Sequence, residues 1–279
     1  MSVRIETLKM SDGADVHTVD FAPARTPAAV VQFVHGFGEH VGRYTELAER
    51  FNAKNIAFVS HDQRGHGKTQ GKRGVSPSYD RLLDDVSAVR KHIGGLYPDT
   101  PVILYGHSMG GNIAANYLIS RSQKDYACAV IGSPWLRLYH PFPAAVMVLA
   151  SVLGKLSKNM TVTNKLDLQT LTHDGELVRK TEEDVAYHGN LSFRLFSQIT
   201  SRGEYAIKNA GLIKLPALLM CAGDDRIVST PAAMEMAANS GGGLTLKKYD
   251  GLYHELHNEL EREQIFGDVY DFIAPFCRR

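Results

Sequence analysis

The chain has 279 residues, enough for one large α/β domain with a substantial core or for two small ones. Charged residues make up 22% and the net charge is +1, which removes any electrostatic case for nucleic acid or an anionic membrane as a partner. Three cysteines (Cys128, Cys221 and Cys277) are too few and too scattered for a disulfide framework or a zinc site, and the first two sit in apolar runs as small core hydrophobes.

Residues 1–6 lack the apolar core of a signal peptide, and no run approaches the ~20 apolar residues that span a bilayer, so a soluble, cytoplasmic chain is expected. Residues 3–9 and 15–22 alternate in character around Ser11, Asp12 and Gly13, predicting an antiparallel hairpin at a sheet edge. Residues 28–34 form a mostly apolar strand, as when both faces are covered. A helix follows over about 43–55, with Tyr44, Leu47, Ala48 and Phe51 on one face. Strand 56–60 comes next, then a helix over 79–96 carrying Leu82, Val86, Val89 and Ile93 at helical spacing. Strand 102–105 leads into a second helical pattern (Ile113, Ala114, Tyr117, Leu118), and strand 127–131 follows. The alternation then breaks for about 80 residues. It resumes with strand 216–223, a helix near 231–239, strand 244–249 and a closing helix stacking Leu260, Ile265, Phe266, Val269, Phe272 and Ile273. Repeated strand–helix units with apolar strands predict a mainly parallel sheet covered on both faces, with ligands gathered at the carboxyl ends of its strands.

One such end carries Gly106-His107-Ser108-Met109-Gly110. A serine wedged between a buried strand and a helix must occupy a sharp, strained turn, and only small residues two positions either side permit it. The turn pushes the hydroxyl clear of the backbone near the positive end of the next helix, which makes Ser108 a nucleophile candidate. Its base and that base's carboxylate must lie at the same sheet edge. Of 12 histidines, His254 follows strand 244–249 by a short loop and lies C-terminal to the serine, in the order Ser, acid, His. The acid lies at the end of the preceding strand, where Asp224 and Asp225 compete on position alone. Met109 supplies one oxyanion amide, and the His35-Gly36-Phe37-Gly38 loop after an earlier strand supplies the other through Phe37.

The motifs His35-Gly36-Phe37-Gly38-Glu39-His40-x-Gly42-Arg43-Tyr44, His61-Asp62-x-Arg64-Gly65-His66-Gly67, Gly106-His107-Ser108-Met109-Gly110-Gly111, Asp225-Arg226 and Tyr253-His254-x-x-His257 together resemble the monoacylglycerol lipase and lysophospholipase branch of the α/β-hydrolases. The likeness covers about 28–133 and 212–273. It implies the α/β-hydrolase fold, with a core of 1–133 and 212–279; the interruption at residues 134–211, the least family-like part, reads as a helical cap inserted after the sixth strand. It also implies that Asp225, directly before an arginine, is the acid, and that Glu39, Arg43 and His257 line a polar head-group pocket. From the residues alone, Glu39 and Arg43 are i,i+4 and equally describe a surface ion pair.

The implied activity is a serine ester hydrolase that cleaves monoacylglycerols or similar single-chain lipid esters through an acyl-enzyme, with no metal or cofactor. A short-chain carboxylesterase or lysophospholipase is the alternative within that class, and a non-catalytic ligand-binding member of the fold is the alternative outside it. In the cap, residues 144–150 with Val152, Leu153 and Leu156 form an apolar run too short to span a membrane. A soluble cap can bury that run or line a tunnel with it, and an amphipathic lid can turn part of it to a bilayer or micelle. Phe193, Leu195, Phe196 and Ile199 offer a second apolar wall for an acyl chain. Gly67-Lys68-Thr69 lacks the upstream glycine of a phosphate loop, Gly36-x-Gly38 lacks the third glycine of a dinucleotide fingerprint, and His254-Glu255 is not in HExxH order.

Overall fold

The computed structural model describes residues 1–164 and 166–278. An eight-stranded sheet runs in the order β1 (Ser2–Lys9), β2 (Asp15–Ala22), β4 (Ile56–His61), β3 (Ala29–Val34), β5 (Val102–His107), β6 (Cys128–Gly132), β9 (Ala217–Ala222) and β10 (Leu244–Tyr249). The first two strands form the antiparallel hairpin, and every pairing from β4 through β10 is parallel. Alternate side chains feed two cores. Val30, Val34 and Leu104 pack with α2 (Tyr79–Leu96) and α3 (Met109–Ser120). Val31, Phe33, Ile103 and Tyr105 pack with α1 (Thr45–Ala53) and α8 (Arg262–Ile273). Burial on both faces is why these strands read as continuous apolar runs. Cys128 and Cys221 are buried within β6 and β9.

Two boundaries differ from the periodic reading. The helix expected over 43–55 is a 3₁₀ turn, Val41–Tyr44, whose first turn is capped by His40, followed by α1. It closes before Asn55, whose φ of 58° lies in the left-handed region that asparagine tolerates. Leu260 does not join the stack on α8; it lies ahead of the helix and is 63% exposed.

Between β6 and β9 lie α4 (Ala144–Leu156), β7 (Thr161–Thr163), α5 (Gly175–Glu182), β8 (Asn190–Ser192) and α6 (Phe193–Lys208); α7 (Thr230–Asn239) follows β9. β7 and β8 pair antiparallel, a small sheet whose three-residue strands are too short to show a period. The inner face of α6 joins the main core. Leu195, Ile199, Ala206 and Ile207 are buried there, and the Asn112 and Asn116 side chains of α3 donate to the Ile199 and Arg202 carbonyls at 3.1 Å. On α4 only Ala150 and Gly154 are buried; Val148 and Leu149 are 64% and 57% exposed, so one side of the apolar run is not covered by the protein. No helix among the described residues is long and apolar enough to cross a membrane.

Candidate active site

Ser108 sits between β5 and α3 with φ 55° and ψ −117°. Its strain is held by backbone packing on both sides. A Cβ at Gly106 would overlap the Gly110 carbonyl oxygen, and one at Gly110 would overlap the Val34 carbonyl oxygen. The turn is therefore a fit between the end of β5, the start of α3 and the end of β3.

His254 follows β10, and its Nδ1 lies 2.7 Å from Asp225 Oδ2 in the loop after β9. The other Asp225 oxygen accepts the Ile227 and Val228 amides, each at 2.9 Å. Asp225 is buried while Asp224 is exposed, so the fold separates two neighbours that sequence position left level. Burial lowers the proton affinity of His254, but the Asp225 carboxylate, followed by Glu255 and Glu39, outweighs it and raises the imidazole above its ordinary value. Ser108 and His254 face one cavity of about 230 Å³. Among the described residues no hydrogen bond joins the hydroxyl to the imidazole, and both groups line the cavity.

The loop after β3 forms the facing wall. His35 is buried and neutral, lowered to about 3 by burial. Its Nδ1 donates to the Gly36 carbonyl at 2.8 Å and its Nε2 accepts the Gln63 amide at 2.9 Å, tying this loop to the one after β4. Gly36 is glycine for close approach: a Cβ there would overlap Glu39 Oε1 and come within 3.1 Å of Ser108 Cβ. Gly38 instead has φ +78°. The Phe37 ring lines the cavity edge-on to Trp135, His66 and His188. Met109 is the first residue of α3, so its amide has no intrahelical acceptor, and neither it nor the Phe37 amide finds another acceptor among the described residues.

Comparison with known proteins gives the family. The family model described as serine aminopeptidase S33 matches residues 25–261. The chain belongs to this α/β-hydrolase family. It is 30% identical to the monoacylglycerol lipase of Mycolicibacterium smegmatis over 91% of each chain. It is also 30% identical to an uncharacterized abhydrolase domain-containing protein of Dictyostelium discoideum over 98% of this chain, but spans 29% of that protein's length. Among solved structures, the monoacylglycerol lipase of Paleococcus ferrophilus superposes with a TM-score of 0.85 at 27% identity, covering 94% of this chain and 99% of that one. The protein is an esterase- and lipase-like α/β-hydrolase.

In this hydrolase the three residues expected in a head-group pocket are not placed alike. Glu39 reaches the cavity wall. Arg43 lies behind that wall, in a buried ion-pair group rather than a surface pair, with Nε 3.3 Å from Glu39 Oε2 and an NH2 nitrogen 2.9 Å from Glu255 Oε1. His257 is buried away from the cavity, its ring stacked on Tyr44 at 5.0 Å and packed against His107 at 4.8 Å; burial lowers it to about 4. Of the two buried carboxyls beside Arg43, Glu39 is raised by burial and by Glu255, while the Arg43 charge overcomes burial at Glu255 and lowers it.

A second cavity, about 300 Å³, adjoins the first through the shared Trp135, Leu138, Phe142 and Asn164. Val146, Ala150, Phe193 and Phe196 line it, whereas Leu195 and Ile199, expected on the same wall, face the main core. Periodicity could not separate them because α6 is apolar toward both neighbours. Glu255 and Tyr187 also went unread as wall residues; the only signal for Glu255 was adjacency to His254, and Tyr187 lies in the insertion.

Proposed function

We propose that this protein hydrolyses monoacylglycerols, or similar single-chain lipid esters, to a fatty acid and an alcohol through an acyl-enzyme on Ser108. His254 Nδ1 donates to Asp225, which leaves Nε2 unprotonated as the base for the serine proton. Ser108 Oγ adds to the ester carbonyl, and the Phe37 and Met109 amides donate to the oxyanion that forms. The imidazolium then protonates the departing alcohol oxygen. Water, deprotonated by the same nitrogen, adds to the acyl carbonyl, and collapse returns Ser108 with release of the acid.

The observation that carries the reading is the 2.7 Å His254–Asp225 contact at the cavity that also holds Ser108. The adjoining apolar chamber supports one acyl chain as the occupant. The exposed side of α4 supports transient contact with a bilayer or micelle as the route by which such a substrate arrives.

The test is a fluorophosphonate label with peptide mapping, beside fatty-acid release from monoacylglycerols of graded length. A Ser108 adduct and release abolished by Ser108→Ala are expected. An unlabelled native protein would leave only a ligand-binding role.

A further inference from the structure

Arg43 has all three guanidinium nitrogens engaged, and each arm reaches a different segment. Nε donates to Glu39 on the loop after β3, and NH2 donates to both Glu255 oxygens, at 2.9 and 3.1 Å, on the loop that carries His254. NH1 donates to Thr181 Oγ1 on α5 at 2.5 Å, and the Tyr187 ring lies beneath the plane at 5.3 Å. The side chain is 10% exposed and does not line the reaction cavity.

Residues 181–188 of the insertion run along the Gly38–Arg43 stretch: Asp184 pairs with His40 at 2.8 Å, and the His188 amide donates to the Gly38 carbonyl at 3.0 Å. On the other side the Glu255 amide donates to the Leu171 carbonyl at 2.7 Å, so the insertion also grips the histidine loop. The two loops approach from strands β3 and β10, which are separated by three strands in the sheet, so ladder pairing cannot set their spacing.

We propose that Arg43 is a positioning residue, a strap joining Glu39 of the oxyanion loop to Glu255 of the histidine loop so that the Phe37 amide and the His254 imidazole stay in register around Ser108. This rests on the hydrolase reading above and differs from a head-group contact in what it makes Arg43 responsible for. A strap serves every ester, whatever its alcohol; a head-group ligand serves glycerol esters alone. Arginine suits the task because its rigid planar fork addresses several oxygens at once, which an ammonium cannot.

The experiment compares Arg43→Gln, Arg43→Lys, Glu255→Gln and the Arg43→Gln/Glu255→Gln double variant with the native chain. Each is assayed on p-nitrophenyl butyrate, which has no polyol, and on 1-monooleoylglycerol, with thermal unfolding to confirm the fold. The strap predicts that Arg43→Gln lowers kcat at least ~10-fold on both esters with KM within ~2-fold, since groups held in wrong geometry forfeit transition-state and not ground-state contacts. Arg43→Lys recovers only part of the loss, and the double variant is no worse than the poorer single one. Glu255→Gln gives the same kcat loss and also moves the acid limb of the rate profile to lower pH. The imidazole then faces Asp225, Glu39, His107 and His257 with one negative charge fewer. If Arg43→Gln does not fold, Glu255→Gln alone decides, because it keeps shape while replacing a charged two-oxygen acceptor by a single neutral one.

Unchanged butyrate turnover with a raised KM for the glyceride would overturn the strap in favour of a head-group contact. Unchanged kcat on both esters would overturn it outright. Failure of the underlying reading looks different: the native chain itself would then show neither turnover nor a Ser108 adduct.

Discussion

Asp225 and His254 stand 29 residues apart in the chain and 2.7 Å apart in the fold, Oδ2 to Nδ1. The second carboxylate oxygen is held by two backbone amides of its own loop, so the acid cannot turn away without breaking two hydrogen bonds. That fixes both partners: the aspartate by its loop, the imidazole tautomer by the aspartate.

Because Asp225, Glu255 and Glu39 raise the proton affinity of His254 against burial, the base form is lost as pH falls through that raised value. kcat/KM is therefore expected to drop on the acid side. Asp225→Asn removes the largest of the charges favouring protonation, so its acid limb moves to lower pH while maximal turnover falls roughly 10⁴-fold, the size reported for the same change in a serine-protease triad. A pH–rate profile of native and variant checks both signs; a limb that stays put would assign the titration to another group.

Gly110→Ala and Gly36→Ala separate folding from chemistry. The added Cβ at Gly110 meets backbone carbonyls of Val34 and His35, which cannot yield, so a loss of about 3 kcal/mol or failure to fold is expected. At Gly36 it meets mainly the end of the flexible Glu39 side chain and Ser108 Cβ, so the fold should survive with reduced turnover. Denaturant melts beside ester assays decide this; equal stability losses would refute it.

Ala150 lines the second chamber, and Ala150→Leu intrudes on it. Excluding two methylenes at about 0.8 kcal/mol each is worth roughly 10-fold in kcat/KM for a C16 or C18 glyceride, with C4 to C6 esters unchanged. Rates across a chain-length series check it, and a uniform change at all lengths would mean that the chamber does not hold the acyl chain.

Val148→Asp with Leu149→Asp addresses the uncovered face of α4. These side chains are 64% and 57% exposed, so the fold and the hydrolysis of a water-soluble ester should be untouched. Burying two such side chains in lipid is worth about 1.5–3 kcal/mol each, so binding to phosphatidylcholine vesicles should weaken at least ~10-fold. Co-sedimentation measures it; unaltered binding would move the contact elsewhere.

The architecture was legible because a sheet buried on both faces writes apolar runs into the chain, and the runs at 29–34, 56–61, 102–107, 128–132 and 217–222 are all strands; 244–249, at the sheet edge, is a strand with two lysines and exposed positions. Ser108 and His254 were legible for a related reason: polar residues directly after such runs must emerge at one sheet edge. The insertion was not, since β7 and β8 are three residues long and α6 is apolar toward both the main core and the second cavity.

What the chain determined alone was the order of strands and helices, the strained serine turn and the residues that follow each strand, because these depend on local spacing and on which side chains avoid water. Tertiary structure decided which aspartate is buried against His254, that Arg43 joins two loops behind the cavity wall, and that His257 packs under the site. Those outcomes depend on the distance between segments remote in sequence, which sheet order and the packing of the insertion set and no local pattern records.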